Sequence, residues 1–192
     1  VDHFVSQFAS SCGRTELFAL DPHLAFKTPR DLLVKVLAGG RVAVLDLPVG
    51  AGAGAATFIS IVQELRRTGV IPSPPLEIMI VGGELSRESR DIAAKVFGRL
   101  RERWLESGID VSWELREWDV LSDESTEDLL EVWRDQLTGR EGLLLWNNFS
   151  GFLGSKKNEG SQLWLEDAAS PIRSLLAVTS RRKINSCWIE PA

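Results

Sequence analysis

Residues 46–54 read Asp46-Leu-Pro-Val-Gly50-Ala-Gly52-Ala-Gly54, and the patterns on either side are organised around this stretch. It follows the apolar run 42–45, which is typical of a buried strand, and it precedes a helix-like segment over 55–67. Glycines let a backbone approach a ligand where a Cβ atom would collide with it. The first N–H groups of a helix have no partner within the helix. A strand that passes through such a turn into a helix therefore predicts a nucleotide-cofactor site.

The segments that follow alternate between strand-like and helix-like patterns. Strands that alternate with helices of this length indicate βαβ units and a parallel sheet. Right-handed crossovers would place helices on both faces. The sequence therefore predicts an α/β fold with a doubly wound, mostly parallel, Rossmann-like sheet. The strands are predicted at Val42–Leu47, Leu76–Val81, Val111–Trp118, Leu143–Trp146 and Ile184–Ile189, and the helices that follow the first four at 55–67, 86–105, 125–137 and 162–177, with Pro171 breaking or kinking the last.

Composition is ordinary for a globular domain. The 192 residues carry a formal net charge of −5, and 44% of them are hydrophobic. No apolar run reaches the ~20 residues of a membrane span, and no charged-then-apolar signal peptide opens the chain. The two cysteines, Cys12 and Cys187, do not make a disulfide framework. We therefore expect a cytoplasmic protein without membrane association. Residues 1–25 carry no strong pattern and are expected to form an N-terminal extension, while residues 26–192 are expected to form a cofactor-binding domain.

The glycine turn leaves two classes of cofactor open. Gly50-Ala-Gly52-Ala-Gly54-Ala55 satisfies the dinucleotide pattern, in which an acid follows the glycines by ~20 residues. The first acid after the second strand is Glu84, 30 positions past Gly54, and the intervening helix and loop could absorb the excess. Asp46 fits that site poorly, because a carboxylate just before the turn repels a diphosphate. It suits a ligand that carries an ammonium group and no phosphate.

From Asp46 onward the chain resembles the class I S-adenosylmethionine-dependent methyltransferases. In their first motif a strand ends in an acid, and three glycines at alternate positions follow two residues later. Here Pro48 stands at the first glycine position, and Gly50 and Gly52 supply the other two. The resemblance implies a methyltransferase fold with S-adenosylmethionine as cofactor, bound by Asp46, Pro48, Gly50 and Gly52.

Two further acids follow strand ends, as they do in that family. The resemblance implies that Glu84, after the second strand, binds both ribose hydroxyls. It also implies that Asp119, after the third strand, receives the adenine amino group, while the backbone N–H of Val120 meets a ring nitrogen. A carboxylate at either place is also typical of a helix cap or a turn, so this structural alternative stays open for each acid.

A short segment before the first strand extends the resemblance. Phe26-Lys27-Thr28-Pro29 is similar to a motif of amino-methylating DNA methyltransferases, in which an aromatic residue and Thr-Pro contact the methionine end of the cofactor. The resemblance implies that Thr28 binds the cofactor. Thr followed by Pro is also a helix-start signature, so a capping role for Thr28 stays open.

After the fourth strand, Asn147-Asn148-Phe149 resembles the Asn-Pro-Pro-aromatic motif of nucleobase amino-methyltransferases, without its prolines. In that motif the Asn oxygen accepts a hydrogen bond from the target amine, and the aromatic ring stacks on the flipped base. The resemblance implies catalytic roles for Asn147, Asn148 and Phe149 and a nucleic-acid base amine as the methyl acceptor. An Asx turn that closes the strand is the structural alternative.

Three functions are therefore open. The first is an S-adenosylmethionine-dependent methyltransferase. The second is a catalytically inactive methyltransferase-like subunit that binds a partner in a larger assembly, since the prolines are missing and the acidic charge disfavours a tight, stand-alone nucleic-acid binder. The third is a nicotinamide-binding oxidoreductase. The family fold usually adds an antiparallel strand pair after the fifth strand, where this sequence ends, and an uncovered sheet edge would invite a partner subunit or a second copy of the chain.

Overall fold

A computed structural model describes residues 2–21, 35–37, 40–147, 149, 169–182 and 184–189, with side chains from residue 8 onward. Residues 35–37 are helical. The other helices and strands, in chain order, are α1 (Asp2–Leu20), β1 (Arg41–Leu47), α2 (Ala53–Arg67), β2 (Leu76–Gly83), α3 (Arg87–Glu106), β3 (Ile109–Arg116), α4 (Asp123–Gln136), β4 (Glu141–Asn147), α5 (Ala169–Arg182) and β5 (Asn185–Ile189).

The five strands form one open sheet in which every neighbouring pair is parallel. The order across the sheet is β3-β2-β1-β4-β5. This arrangement confirms the predicted α/β fold with a doubly wound, Rossmann-like sheet. The central strand is β1, where Asp46 is in register with Gly82 of β2 and with Leu145 of β4. The strand order reverses between β1 and β4, and ligands of such sheets bind at this switch point, outside the carboxyl ends of the strands.

The two strands at the switch point are buried along almost their whole length. Residues 42–47 of β1 and residues 142–147 of β4 are all buried. Parallel strands that are covered by helices on both faces give continuous apolar runs rather than alternating ones. The exceptions in these two runs are Asp46 and Asn147, which both stand at the carboxyl ends.

Helices cover both faces of the sheet. On one face α1, α2 and α3 enclose a core that includes Phe58, Phe97 and Trp104. On the other face α4 and α5 enclose a second core that includes Trp133 and Trp146. The helices before and after the reversal of strand order lie on opposite faces, as right-handed crossovers require.

The third strand ends earlier than predicted. It was expected to reach Trp118 but ends at Arg116. Trp118 is fully buried in the second core, and its indole N–H donates to the Thr126 hydroxyl of α4 at 3.0 Å. Because the indole packs against a helix, the chain leaves the sheet before this residue, so the apolar pattern continued past the end of the strand.

The last helix also differs from its prediction. The described part of α5 begins at Ala169 and continues to Arg182, five residues beyond the predicted end. Pro171 is the third residue of this described helix and is buried. The described helix continues for eleven residues beyond this proline, so Pro171 does not break it there.

The first helix was not predicted, because the sequence of residues 1–25 carries only a weak amphipathic pattern. α1 lies along α2, and its Ala19 joins the first core. The described part of the expected N-terminal extension is therefore packed onto the sheet domain. The predicted boundary near residue 25 lies outside the described residues.

A small residue at the end of β2 is expected to be essential for stability. A Cβ on Gly83 would lie 2.6 Å from Leu47 Cδ2, 2.8 Å from Leu129 Cδ2 and 3.0 Å from Trp118 Cβ. We predict that Gly83→Ala lowers the free energy of unfolding by about 1–3 kcal/mol, because it overpacks the core. Urea unfolding measures this change. The matched control is Gly98→Ala in α3, where the added Cβ meets nothing within 4 Å and should raise stability by up to about 1 kcal/mol. Equal effects of the two variants would contradict the packing at Gly83.

Candidate functional site

The residues after β1 form a tight turn that is tied to β2. The Val49 N–H donates to the carbonyl of the last β2 residue at 2.9 Å, and the Gly52 N–H donates to the Val49 carbonyl at 2.8 Å. Pro48 enters the turn through a cis peptide bond, and Gly50 and Gly52 have φ values of +52° and +84°. A Cβ on Gly52 would also lie 2.9 Å from the Phe97 ring. One turn therefore contains the predicted residues Pro48, Gly50 and Gly52, and α2 begins directly after it.

Asp46 lies under this turn and is 1% exposed. Its Oδ2 accepts a hydrogen bond from the Ala55 N–H, in the first turn of α2, at 3.2 Å. Its Oδ1 is buried and has no hydrogen-bond partner in the described part of the chain. Burial raises the pKa of Asp46 to about 7, while the hydrogen bond from Ala55 acts in the opposite direction. A buried carboxylate with an open acceptor position favours a cationic donor as its neighbour.

Asn147 ends β4, the strand beside β1, and it is also buried. Its Nδ2 donates to the Thr15 hydroxyl of α1 at 3.2 Å, and its Oδ1 has no partner among the described residues. Both side chains lie against Gly54, because a Cβ there would be 2.8 Å from Asn147 Nδ2 and 3.4 Å from Asp46 Oδ1. The structure thus brings Asp46 and Asn147 together at the switch point.

Glu84 follows β2 at the same edge of the sheet and is 8% exposed. Its Oε1 accepts a hydrogen bond from the Ser86 N–H at 2.9 Å, and Ser86 in turn caps α3. No described residue bonds to its Oε2. Glu84 therefore stands where the sequence predicted it and also makes a local turn contact, which leaves one carboxylate oxygen for a ligand.

Arg90 of α3 connects the loop after β2 with the loop after β3. Its guanidinium donates to the carbonyl of Glu84 and, at 2.9 Å, to the carbonyl of Leu85. It also lies 3.3 Å from the Glu117 carboxylate. These contacts fix the spacing between the two loops that carry Glu84 and Asp119. The sequence did not single out Arg90, because an arginine that bonds to backbone carbonyls leaves no motif.

Asp119 makes the turn that the sequence left open as its structural alternative. Its Oδ1 accepts a hydrogen bond from the Leu121 N–H at 3.0 Å, and its own N–H donates to the Ser125 hydroxyl at 3.0 Å. The side chain of the next residue, Val120, is fully buried in the second core. The contacts of Asp119 therefore explain its position without a ligand, and the adenine-binding roles of Asp119 and Val120 stay predictions.

Phe149 lies in a row of aromatic rings beneath the carboxyl edge. It is fully buried, with its ring centroid 4.7 Å from that of Trp146, 5.7 Å from that of Trp188 and 6.3 Å from that of Trp118. Trp188 of β5 stacks on Trp146 at 5.3 Å and is 48% exposed. Since protein covers both faces of the Phe149 ring, the structure gives this residue a packing role, and base stacking stays a prediction.

Two predicted site residues, Thr28 and Asn148, lie outside the described residues.

Two surface cavities lie away from Asp46 and Asn147. One, of about 390 Å³, runs between α1, α2 and α3 past Cys12, and the other, of about 410 Å³, lies against α3 and β3 beside Trp113. Burial raises the pKa of Cys187 to about 12, so its thiol stays protonated.

Thr15, like Arg90, is a residue of the candidate site that the sequence did not single out. It contacts Asn147 across 132 positions of the chain. It belongs to a helix that was not predicted, and a single threonine has no pattern of its own. Only the packing of α1 against the sheet domain brings it to the switch point.

The chain has no significant match among models of known protein families, curated protein sequences or solved structures. None of the described helices combines the length and the apolar character needed to cross a bilayer. The geometry of the site must therefore carry any functional assignment.

The buried carboxyl of Asp46 predicts a pH-dependent gain in stability for Asp46→Asn. The folded protein holds this proton up to a pKa of about 7, against 3.8 for the ordinary carboxyl. As the pH rises through that range, the unfolded chain loses this proton more readily than the folded protein does, so the free energy of unfolding falls. Asparagine keeps an acceptor for the Ala55 N–H but does not ionise. We expect its stability advantage over the natural protein to grow between pH 5 and pH 7 by up to about 1.4 kcal/mol per unit.

Urea unfolding of both proteins at pH 5, 6, 7 and 8 measures this difference. The advantage should level off above a pH of about 7, where the folded carboxyl is ionised. An advantage that stays constant over the whole range would contradict a titrating carboxyl buried at position 46.

Proposed function

We propose that this protein is an S-adenosylmethionine-dependent methyltransferase of the class I type. The observation that carries the proposal is a pair of buried acceptor oxygens without donors, Asp46 Oδ1 and Asn147 Oδ1. Buried polar groups are nearly always hydrogen-bonded in folded proteins. Two unpaired acceptors at the ends of neighbouring strands therefore indicate a missing donor. The ammonium group at the methionine end of the cofactor offers three N–H donors and a positive charge.

The same carboxylate disfavours a dinucleotide. Pyrophosphates in Rossmann-type sites bind the unpaired N–H groups at the start of the helix after β1. In this chain the Ala55 N–H already donates to Asp46 Oδ2. A diphosphate would have to displace that bond and also approach a like charge. The nicotinamide alternative is thus weakened by the feature that favours a sulfonium amino acid.

Glu84 supports the adenosine part of the proposal. Glu84 directly follows Gly83, whose carbonyl accepts a hydrogen bond from the Val49 N–H of the glycine turn, and Glu84 Oε2 has no bond from the described residues. A carboxylate oxygen can accept from a ribose hydroxyl. Arg90 donates to the backbone carbonyls of Glu84 itself and of the next residue, Leu85, and so limits the movement of this loop.

The residues of this chain would act by positioning rather than by acid–base chemistry. The bound cofactor supplies an electrophilic methyl group on its sulfonium sulfur. Asp46 and Asn147 would hold the amino-acid end, and Glu84 would hold the ribose. The Asn147 amide oxygen has two lone pairs, so it can also accept a hydrogen bond from an amine on the methyl acceptor. Alignment of that amine with the methyl group would lower the barrier through orientation. The carbon–sulfur bond would break as the carbon–nitrogen bond forms, the sulfur would leave as a neutral thioether, and the proton of the amine would pass to solvent.

The acceptor class that we propose is an exocyclic amine of a nucleic-acid base. It rests on the sequence resemblance at 147–149 and on the open acceptor of Asn147. One observation favours the non-catalytic alternative: Phe149, which would stack on the base, is fully buried between tryptophan rings. A subunit that binds the cofactor and a partner protein, without transferring a methyl group, would need no such stacking face.

Cofactor binding is tested by thermal shift and calorimetry with S-adenosylmethionine, S-adenosylhomocysteine and NAD. We expect the two sulfur ligands to stabilise the protein and Glu84→Gln to weaken S-adenosylhomocysteine by about tenfold or more, because a hydrogen bond to a charged group is lost. The control, Asp110→Asn, changes an exposed carboxylate in β3 at the opposite edge of the sheet and should leave the affinity unchanged. Stabilisation by NAD alone, or by none of the ligands, would reject the proposal.

Catalysis is tested by transfer of a labelled methyl group to DNA, RNA and protein pools. We expect label in a nucleic-acid pool and a loss of about hundredfold or more in Asn147→Ala, since a misplaced acceptor amine costs orientation. Asn185→Ala, at the amino end of β5, is the matched control and should keep its activity. Tight binding of S-adenosylhomocysteine without transfer to any pool would favour the non-catalytic subunit.

A further inference from the structure

We infer that Thr15 of α1 is a positioning residue that holds the Asn147 amide nitrogen, so that the amide oxygen stays open as an acceptor for the ammonium group of a ligand. The inference rests on the proposed function for the identity of the ligand, but the orientation of the amide is a property of the ligand-free protein. It gives the N-terminal helix a part in the site that no motif around the glycine turn supplies.

The Thr15 hydroxyl has a single proton, and its partner decides which atom of Asn147 it can bind. Thr15 Oγ1 donates to the Ser11 carbonyl, one helical turn earlier, at 3.0 Å. A hydroxyl has one proton and two lone pairs. With the proton directed to Ser11, only a lone pair remains for Asn147, so Thr15 must accept. The partner at 3.2 Å is accordingly the Asn147 Nδ2 donor.

Burial strengthens the preference of the Asn147 amide for the orientation in which Nδ2 faces Thr15. Thr15 is 2% exposed and Asn147 is 7% exposed. If the amide rotated by half a turn, its oxygen would face the hydroxyl oxygen, and Thr15 would have to give up its bond to Ser11. Water cannot compensate such a loss in a buried pair, so the rotated amide is disfavoured by about tenfold or more.

The amide oxygen of Asn147 is the atom that remains without a hydrogen bond. With Nδ2 committed to Thr15, the Asn147 Oδ1 is the atom without a partner. A Cβ on Gly54 would lie 2.8 Å from the Nδ2 of this amide and 3.4 Å from Asp46 Oδ1, which also lacks a donor among the described residues. Among the described residues the site therefore has two open acceptors, Asn147 Oδ1 and, when Asp46 is ionised, Asp46 Oδ1, which suits a ligand with a primary ammonium group.

The test compares Thr15→Val, which has the same shape but no hydroxyl, with Thr15→Ser, which keeps the hydroxyl. The first measurement uses ligand-free protein labelled with ¹⁵N and follows hydrogen exchange of the Asn147 side-chain amide. We expect slow exchange in the natural protein and in Thr15→Ser, and fast exchange in Thr15→Val. Slow exchange in Thr15→Val would overturn the inference whatever the ligand proves to be.

The second measurement is calorimetry with two ligands that share the adenosine and thioether groups. S-adenosylhomocysteine carries the ammonium group, and 5′-methylthioadenosine lacks it. We expect Thr15→Val to weaken S-adenosylhomocysteine by about tenfold and to leave 5′-methylthioadenosine unchanged, while Thr15→Ser matches the natural protein with both. A merely structural defect would weaken both ligands in parallel. An unchanged ratio of the two affinities overturns the inference. Failure of the natural protein to bind either ligand overturns the proposed function instead.

Discussion

The burial of one carboxylate at the end of the central strand is the constraint on which the rest of this site depends. A buried charge is costly unless it is paired or hydrogen-bonded, and Asp46 receives one donor, the Ala55 N–H. That contact requires α2 to begin directly above the strand, and the glycine turn makes this possible, since a Cβ on Gly52 or Gly54 would collide with a neighbouring side chain. The remaining oxygen is left with its acceptor capacity unused. The glycine turn, the start of α2 and the open acceptor oxygen therefore all follow from the burial of Asp46 at the end of β1.

Much of the fold could be predicted from the sequence, because parallel strands under helices leave a strong signal. β1 and β4 are buried on both faces and contain continuous apolar runs at 42–45 and 143–146, and α3 has a clear apolar stripe ending at Trp104. The errors lie where side-chain packing overrides the local pattern. The chain leaves β3 before Trp118 because that indole packs against α4. α1 was missed because it is held by contacts with α2, which the local sequence does not encode.

The candidate site was predictable in outline but not in its details. Acids at successive strand ends identify the carboxyl edge, so the positions of Asp46 and Glu84 at this edge were predictable, while their roles as ligands stay predictions that the family resemblance implies. Sequence could not tell which acids are already satisfied by the protein itself: Asp119 bonds to the Leu121 N–H in a local turn, whereas Asp46 keeps an unpaired oxygen. Nor could it show that Phe149 points into the core. Such distinctions depend on which groups meet in space, and the contact between Thr15 and Asn147 is the clearest case.

The row of aromatic rings beneath the carboxyl edge has a spectroscopic consequence. The chain contains seven tryptophans and no tyrosine, so its near-ultraviolet emission comes from indoles alone. Trp146 and Trp188 are stacked with an interplanar angle of 20°, one of them fully buried and the other half open to solvent. Stacked indoles couple their electronic transitions, and emission from a half-open indole shifts with the polarity around it. The edge of the sheet where ligands are expected thus has a built-in optical probe, and events there can be followed in unlabelled protein.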